Sequence, residues 1–257
     1  FTEKFDGVAL SPDQIRATED EISEAYEKLE DKDVKAIEKA AGSIERYHRK
    51  QMPDEWMKEF ETGIEAGQVV RPLESIGGYA PGGKAQYPTT VLMAITPAKI
   101  AGVQHTTVCT PPNPEGEINP ATLVAADVAG TDEVYKLGGA QAIAAMAYGT
   151  GPIKQAEKIV GPGNIYVSAA KKIVSTEVDI DFMAGPTEVL IIADSSADPK
   201  AIATDLIAQS EHDPSSASIL ITTSEGLAEE VKKNVGSFLE SGERNEITRE
   251  ALEKYGM

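Results

Sequence analysis

Apolar residues recur at helical spacing through the strongly charged first part of the chain. In "SPDQIRATEDEISEAYEKLE", Ser11, Pro12 and Gln14 read as N-cap, first helical residue and capping-box partner. Ile15, Ile22, Tyr26 and Leu29 would form the buried face. A second helix is expected from about Asp33 to Gln51, with Val34, Ile37, Ala41 and Ile44 on one side and Pro53 beyond its end. Both helices are polar elsewhere, so they must dock on another element. The region to about residue 70 is read as helical throughout.

From about Leu73 the texture changes to Gly, Pro and β-branched residues. Strands are expected near Glu74 to Tyr79 and at "VQHTTVCT", "EVYKL", "EKIVG" and "VDIDF". Helices fall between them at "PTTVLMAITPAKIAG", from about Asn119 to Val128, at "AQAIAAMAYG" and at "IYVSAAKKIV". This alternation predicts right-handed crossovers and a mostly parallel sheet. A second series opens at "EVLIIAD". Its helix has Asp198 as cap and Pro199 at its start, and Pro214 bars its continuation. The strand "SILITT" and a helix from Glu225 to about Leu239 follow, with Leu227, Val231, Val235 and Phe238 as the buried face. Two strands make a marginal sheet, so this unit needs a partner or more chain.

Composition narrows the classes. The 257 residues, 41% hydrophobic and 26% charged, suit a soluble globular protein. No apolar run approaches the roughly 18 residues of a membrane span, so no membrane association is expected. A net charge of −18 repels phosphate backbones, and no nucleic-acid partner is expected. Cys109 stands alone in an apolar run, which excludes an internal disulfide and points to a reducing, cytoplasmic compartment and a buried, unreactive thiol. The opening "FTEKFDG" is charged and lacks an initiator Met, so further residues are expected upstream.

Four loops follow the expected strands: "GGYAPGGK", "TPPNPEGE", "GGAQ" and "GPGN". Glycine there lets backbone approach a ligand, and each following helix offers free N–H groups. Tight strand-to-helix turns need glycine too, so both readings stand. None of the loops gives GxGxxG, and a nucleotide would be held in another way. Tyr79, Gln141 and Asn164 are the hydrogen-bonding side chains in these loops, although Asn164 also suits a helix cap.

The three histidines differ. His48 is read as solvated and His105 as a satisfied structural residue. His212 lies three residues after Gln209 in "AQSEHDP", hence on the same helix face. The pair could address one ion, yet zinc normally takes about four ligands. A histidine near a helix C-terminus also complements the dipole. This helix ends near the amino edge of its sheet, away from the usual ligand edge.

The segments "GGYAPGG", "PTTVLMAITPAKIAGV", "GGAQAIAAMAYGT", "KIVGPGNIYV", "DFMAGPTEVLIIAD" and "DLIAQSEHDP", in this order, resemble histidinol dehydrogenase. The resemblance implies a homodimeric enzyme of histidine biosynthesis. It would oxidise L-histidinol through the aldehyde to L-histidine, with two NAD reduced at one site and one zinc per subunit. It places Tyr79, Gln141 and Asn164 at NAD-contacting positions. Gln209 and His212 match zinc ligands that also lie beside the substrate. Thr187 stands where a substrate-contacting serine is usual. The family's Glu-His pair and two further zinc ligands, an Asp and a His, would lie beyond Met257. The chain is therefore read as a fragment without catalytic residues of its own and inactive alone.

The reading is an α/β fold of two Rossmann-like parallel-sheet units with a helical N-terminal region. Residues 1–72 form that region and pack with the second unit. Residues 73–182 form the NAD side, and residues 183–257 the incomplete zinc and substrate side. A relative acting on another alcohol, or a non-catalytic nucleotide-binding module, would share much of this sequence.

Overall fold

The computed structural model describes residues 1–82, 87–182, 188–211, 214–241 and 245–256. The chain divides into two compact units, Phe1–Met183 and Ala184–Met257.

The first unit opens with α1 (Thr2–Asp6), α2 (Glu19–Lys28) and α3 (Asp31–Arg49). The expected capping box at Ser11 does not open a helix. The Ser11 N–H and hydroxyl both donate to Gln14 Oε1, which closes only a local turn. The next residues are extended and bond to a strand edge: Ala17 N–H donates to the Val134 carbonyl, and Lys136 N–H to that of Ile15. The helix waits for a second box, in which the Thr18 hydroxyl accepts from the Glu21 N–H and the Glu21 carboxylate accepts from the Thr18 N–H. Glu21 also ion-pairs with the buried Lys136, and the Tyr26 hydroxyl donates to Asp127 at 2.7 Å.

The expected cap at Ser11 is thus corrected to Thr18. The helices α2 and α3 pack on α4 (Pro88–Ala101) and α5 (Pro120–Val128), inside the first unit. Their apolar faces, with Ala25, Ile37 and Ala41 buried, join the same core as Leu92, Ile95 and Val124. The expectation of an all-helical N-terminal region is also corrected. After α3 an antiparallel hairpin forms from β1 (Trp56–Glu61) and β2 (Ile64–Gln68), turning at Gly63. All of its residues are exposed.

The sheet holds β3 (Ser75–Tyr79), β4 (His105–Thr110), β5 (Glu133–Lys136), β6 (Lys158–Val160) and β7 (Asp179–Ile180), all parallel, in the order β5-β4-β3-β6-β7. Alternate strand positions feed two cores. Ile76, Val108 and Val134 face the layer of α4 and α5. Tyr79, Cys109 and Tyr135 face the layer of α6 (Gly139–Tyr148) and α7 (Ile165–Val174). Every strand and helix expected between Leu73 and Phe182 is present.

The second unit contains β8 (Glu188–Ala193), α8 (Pro199–Ser210), β9 (Ala217–Thr222), α9 (Glu225–Ser241) and α10 (Asn245–Tyr255). The strands β8 and β9 pair in parallel. Val189, Ile191 and Leu220 pack with Ile202, Leu206, Leu227 and Val231. The other face of the two strands exposes Leu190, Ile192 and Ile221.

Candidate functional site

Counted within their own sheet, the strands of the first unit run third, second, first, fourth, fifth. The winding therefore reverses between β3 and β6, and open α/β sheets bind ligands outside the carboxyl ends at that reversal. Tyr79 closes β3 there, and residues 161–164 leave β6 beside it.

Tyr79 is the hub of this edge. Its ring is buried, and its phenol oxygen accepts a hydrogen bond from the Gly139 N–H at 3.0 Å. Burial raises its pKa above the ordinary 10.0, against the opposing Gly139 bond and with a smaller push from Asp6. The group stays a phenol at neutral pH and keeps a proton to donate. Asp6, at the end of α1, is itself raised by burial, and among the described residues its Oδ2 is enclosed without a partner.

Gln141 lies in the first turn of α6 and folds back over Gly139, where an added Cβ would come to 3.0 Å from its Oε1. Asn164 caps α7: its Oδ1 accepts from the N–H groups of Tyr166 and Val167, both at 3.1 Å. Tyr79 and Gln141 thus meet around one glycine, and Asn164 stands three residues beyond a second. That second glycine, Gly161, has φ +123, and a Cβ there would lie 2.1 Å from the Tyr79 carbonyl oxygen.

The other loop glycines press on one another. Added Cβ atoms at Gly82 and Gly138 would lie 2.6 and 2.5 Å from side-chain atoms of Pro111, which follows β4. Loop-to-loop packing therefore requires these glycines, in addition to any ligand they admit.

In the second unit, α8 ends at the amino edge of β9, as its spacing predicts. The Ser210 hydroxyl bonds to the Leu206 carbonyl and to the Ser218 hydroxyl, both at 2.8 Å. Gln209 is held beside this anchor. Among the described residues its side-chain Nε2 is shielded from solvent and has no partner, and the buried Ser216 Oγ is likewise unpartnered. Buried polar atoms are nearly always satisfied, so this unmet amide nitrogen is an exception. An amide that can turn its oxygen toward a cation suits a metal there. His212 and Thr187 lie outside the described residues. No group of three or more His, Cys, Asp or Glu residues is arranged to hold a metal among the described residues.

The family model for histidinol dehydrogenase matches residues 1–257. The chain belongs to the histidinol dehydrogenase family. It is 54% identical over its whole length to histidinol dehydrogenase from Methanothermobacter thermautotrophicus, of which it covers 60%. It is 50% identical to the enzyme of Methanocaldococcus jannaschii, with 98% of this chain and 59% of that protein covered. The crystal structure of histidinol dehydrogenase from Elizabethkingia anophelis superposes with a TM-score of 0.93 at 43% identity, over 99% of this chain and 59% of that one. This chain thus spans about three-fifths of the length of these relatives. An NAD-dependent aldehyde dehydrogenase from Sinorhizobium meliloti shares the fold at a TM-score of 0.54 and 14% identity, over 78% of this chain and 40% of that one.

Cys109 and His105 sit as expected, whereas His48 is less exposed than its charged surroundings suggest. Burial pushes the Cys109 thiol up to about 12, which leaves it inert. His105 Nε2 lies 3.2 Å from Glu133 and 3.3 Å from the Thr107 hydroxyl. His48 is half-buried on α3, edge-on to Tyr47. No helix among the described residues is long and apolar enough to cross a membrane.

Sequence reasoning missed one group at this sheet edge. Lys171 looks like an ordinary basic residue near a helix end. It shares the stripe of Val167 and Val174, however, and all three are buried. A lysine at i+4 of an apolar stripe was the available signal.

Proposed function

We propose that this chain is the cofactor-binding part of an NAD- and zinc-dependent histidinol dehydrogenase. The enzyme oxidises L-histidinol through L-histidinal to L-histidine and reduces two NAD. The observation that carries this reading is the juxtaposition of Tyr79, Gln141 and the Asn164 loop at the sheet's reversal point, in a chain of this family. When bound, NAD supplies the hydride acceptor and zinc a Lewis-acidic template for the substrate.

Tyr79 offers a protonated hydroxyl to the cofactor and keeps the Gly139 loop in place. Asn164 fixes the start of α7 by accepting from its first N–H groups, and so sets where the loop from Gly161 lies. Gln141 adds an amide beside Gly139. Gln209 and His212 serve as zinc ligands and lie beside the substrate, and Thr187 contacts the substrate through its hydroxyl. The unmet Gln209 amide supports its part in this set. Zinc takes about four ligands, so two donors leave roughly two to be supplied from outside residues 1–257. The proton transfers of the two oxidation steps are assigned to groups outside them too. The working enzyme is a cytoplasmic homodimer.

The test is an assay of the full-length protein with L-histidinol, NAD and zinc. Two NADH per histidinol are expected, while residues 1–257 alone give little or no turnover. Full activity from residues 1–257 overturns the assignment of the missing groups. No activity of the full-length protein on histidinol, with turnover of another alcohol, overturns the substrate.

A further inference from the structure

The buried pair Lys171–Asp181 is tied to the backbone of Gly161. Lys171 is only 2% exposed and ion-pairs with Asp181. Its Nζ also donates to the Gly161 carbonyl at 3.0 Å. Asp181 Oδ2 accepts from the Gly161 N–H at 2.8 Å, and Oδ1 accepts from the Phe182 N–H at 2.7 Å. Both backbone groups of one glycine are therefore held by one ion pair. The Lys171 ammonium also lies 5.4 Å from the centre of the Phe182 ring.

Gly161 is the residue pressed against the Tyr79 carbonyl, in a backbone conformation that L side chains rarely adopt. Charged hydrogen bonds are the strong, short kind, and a buried pair left half-made leaves an unpaired charge. A pair that grips Gly161 at both ends thus fixes where the loop to Asn164 leaves β6. It also fixes the spacing between that loop and Tyr79.

We propose that Lys171 and Asp181 are positioning residues for the dinucleotide, acting through Gly161 to set the geometry between Tyr79 and Asn164. This rests on the assignment of NAD to that edge. The pair needs no contact with the cofactor, so its effect is on affinity and not on the chemical steps.

The experiment uses the full-length protein, native and with Lys171→Met or Asp181→Asn. NAD binding is measured by calorimetry, and KM for NAD and kcat by steady-state assay. Both variants are expected to raise Kd and KM for NAD roughly tenfold, as for the loss of one charged hydrogen bond, with kcat at saturating NAD unchanged. An equal fall in kcat without a change in NAD affinity overturns the proposal. Amide exchange of the native protein gives an independent reading: the Gly161 and Phe182 N–H groups should be protected well beyond other loop amides. Exchange of both at open-loop rates overturns the clamp even if a variant fails to fold. A native protein that binds no NAD overturns the cofactor assignment and the positioning role together. Native binding with unaltered variants overturns the positioning role alone.

Discussion

The N–H of Gly139 points at the phenol oxygen of Tyr79, 3.0 Å away, and so ties the loop after β5 to the last residue of β3. Tyr79→Phe removes the acceptor and leaves a backbone donor unmet. The expected cost is about 1 kcal/mol of stability, read by urea denaturation, with a roughly tenfold loss of NAD affinity read by calorimetry. A variant as stable as the native protein and equally tight for NAD contradicts both parts.

Gly161→Ala is the harsher change at the same edge. The new Cβ would sit 2.1 Å from a carbonyl oxygen at a φ of +123. A loss of about 3 kcal/mol is expected from the combined clash and backbone strain. The loop after β7 should loosen with it, visible as faster amide exchange at Phe182.

Asp132 makes stability depend on pH. Burial pushes its carboxyl up, but bonds from Lys99 Nζ and from the Thr106 hydroxyl and N–H outweigh this, and its pKa is lowered from 3.8. A carboxylate depressed in the folded state stabilises fully above its unfolded value and loses that contribution as pH falls through the folded one. The Asp132 side chain is 39% exposed and partly screened by solvent, so Asp132→Asn should cost about 1 kcal/mol or less at neutral pH. The gap should start to narrow below about pH 4 and vanish only once pH has fallen through the lower folded value. A gap that stays constant down to acid pH contradicts the assignment.

Cys109 should resist alkylation at about pH 8 in the folded protein and react promptly in urea, because burial holds the thiol near 12. Mass spectrometry of iodoacetamide-treated samples separates the two states. Labelling of the native protein at the unfolded rate means that the β4 core opens readily.

Gln209→Leu should shift stability in opposite directions with and without metal. Without zinc, the change removes a buried amide nitrogen that has no partner and should stabilise by about 1 kcal/mol. With zinc added to the full-length protein, the native enzyme should be the more stable one, because the variant has lost a ligand. Thermal melts in EDTA and in zinc give the comparison. The same order in both conditions removes Gln209 from the metal site.

The alternation of strands and helices after Leu73 was legible because short β-branched runs alternate with longer helical ones and several of the helices carry caps. Asn119, Asn164 and Asp198 all cap the helices expected of them. Before Leu73, charge hid the structure. "WMKEFETGIEAGQ" looked like polar helix, yet its residues alternate around the Thr62-Gly63 turn and pair as a hairpin. Ser11 and Thr18 both begin a capping-box pattern, and only the edge bonds of Ile15 and Ala17 to β5 decide between them. At the site, the loops marked out Tyr79, Gln141 and Asn164. The residues that hold those loops, Pro111, Lys171 and Asp181, could not be paired from sequence. Their partners lie in loops that follow other strands, and their side chains bear no motif.

The position of Pro111 against Gly82 and Gly138 bears on redesign. A bulkier residue at either glycine would strike the same ring, so the segments after β3, β4 and β5 behave as one interlocked cassette. Redesign of this edge by grafting a single segment would leave a clash or a void at the proline. The three would have to be exchanged together.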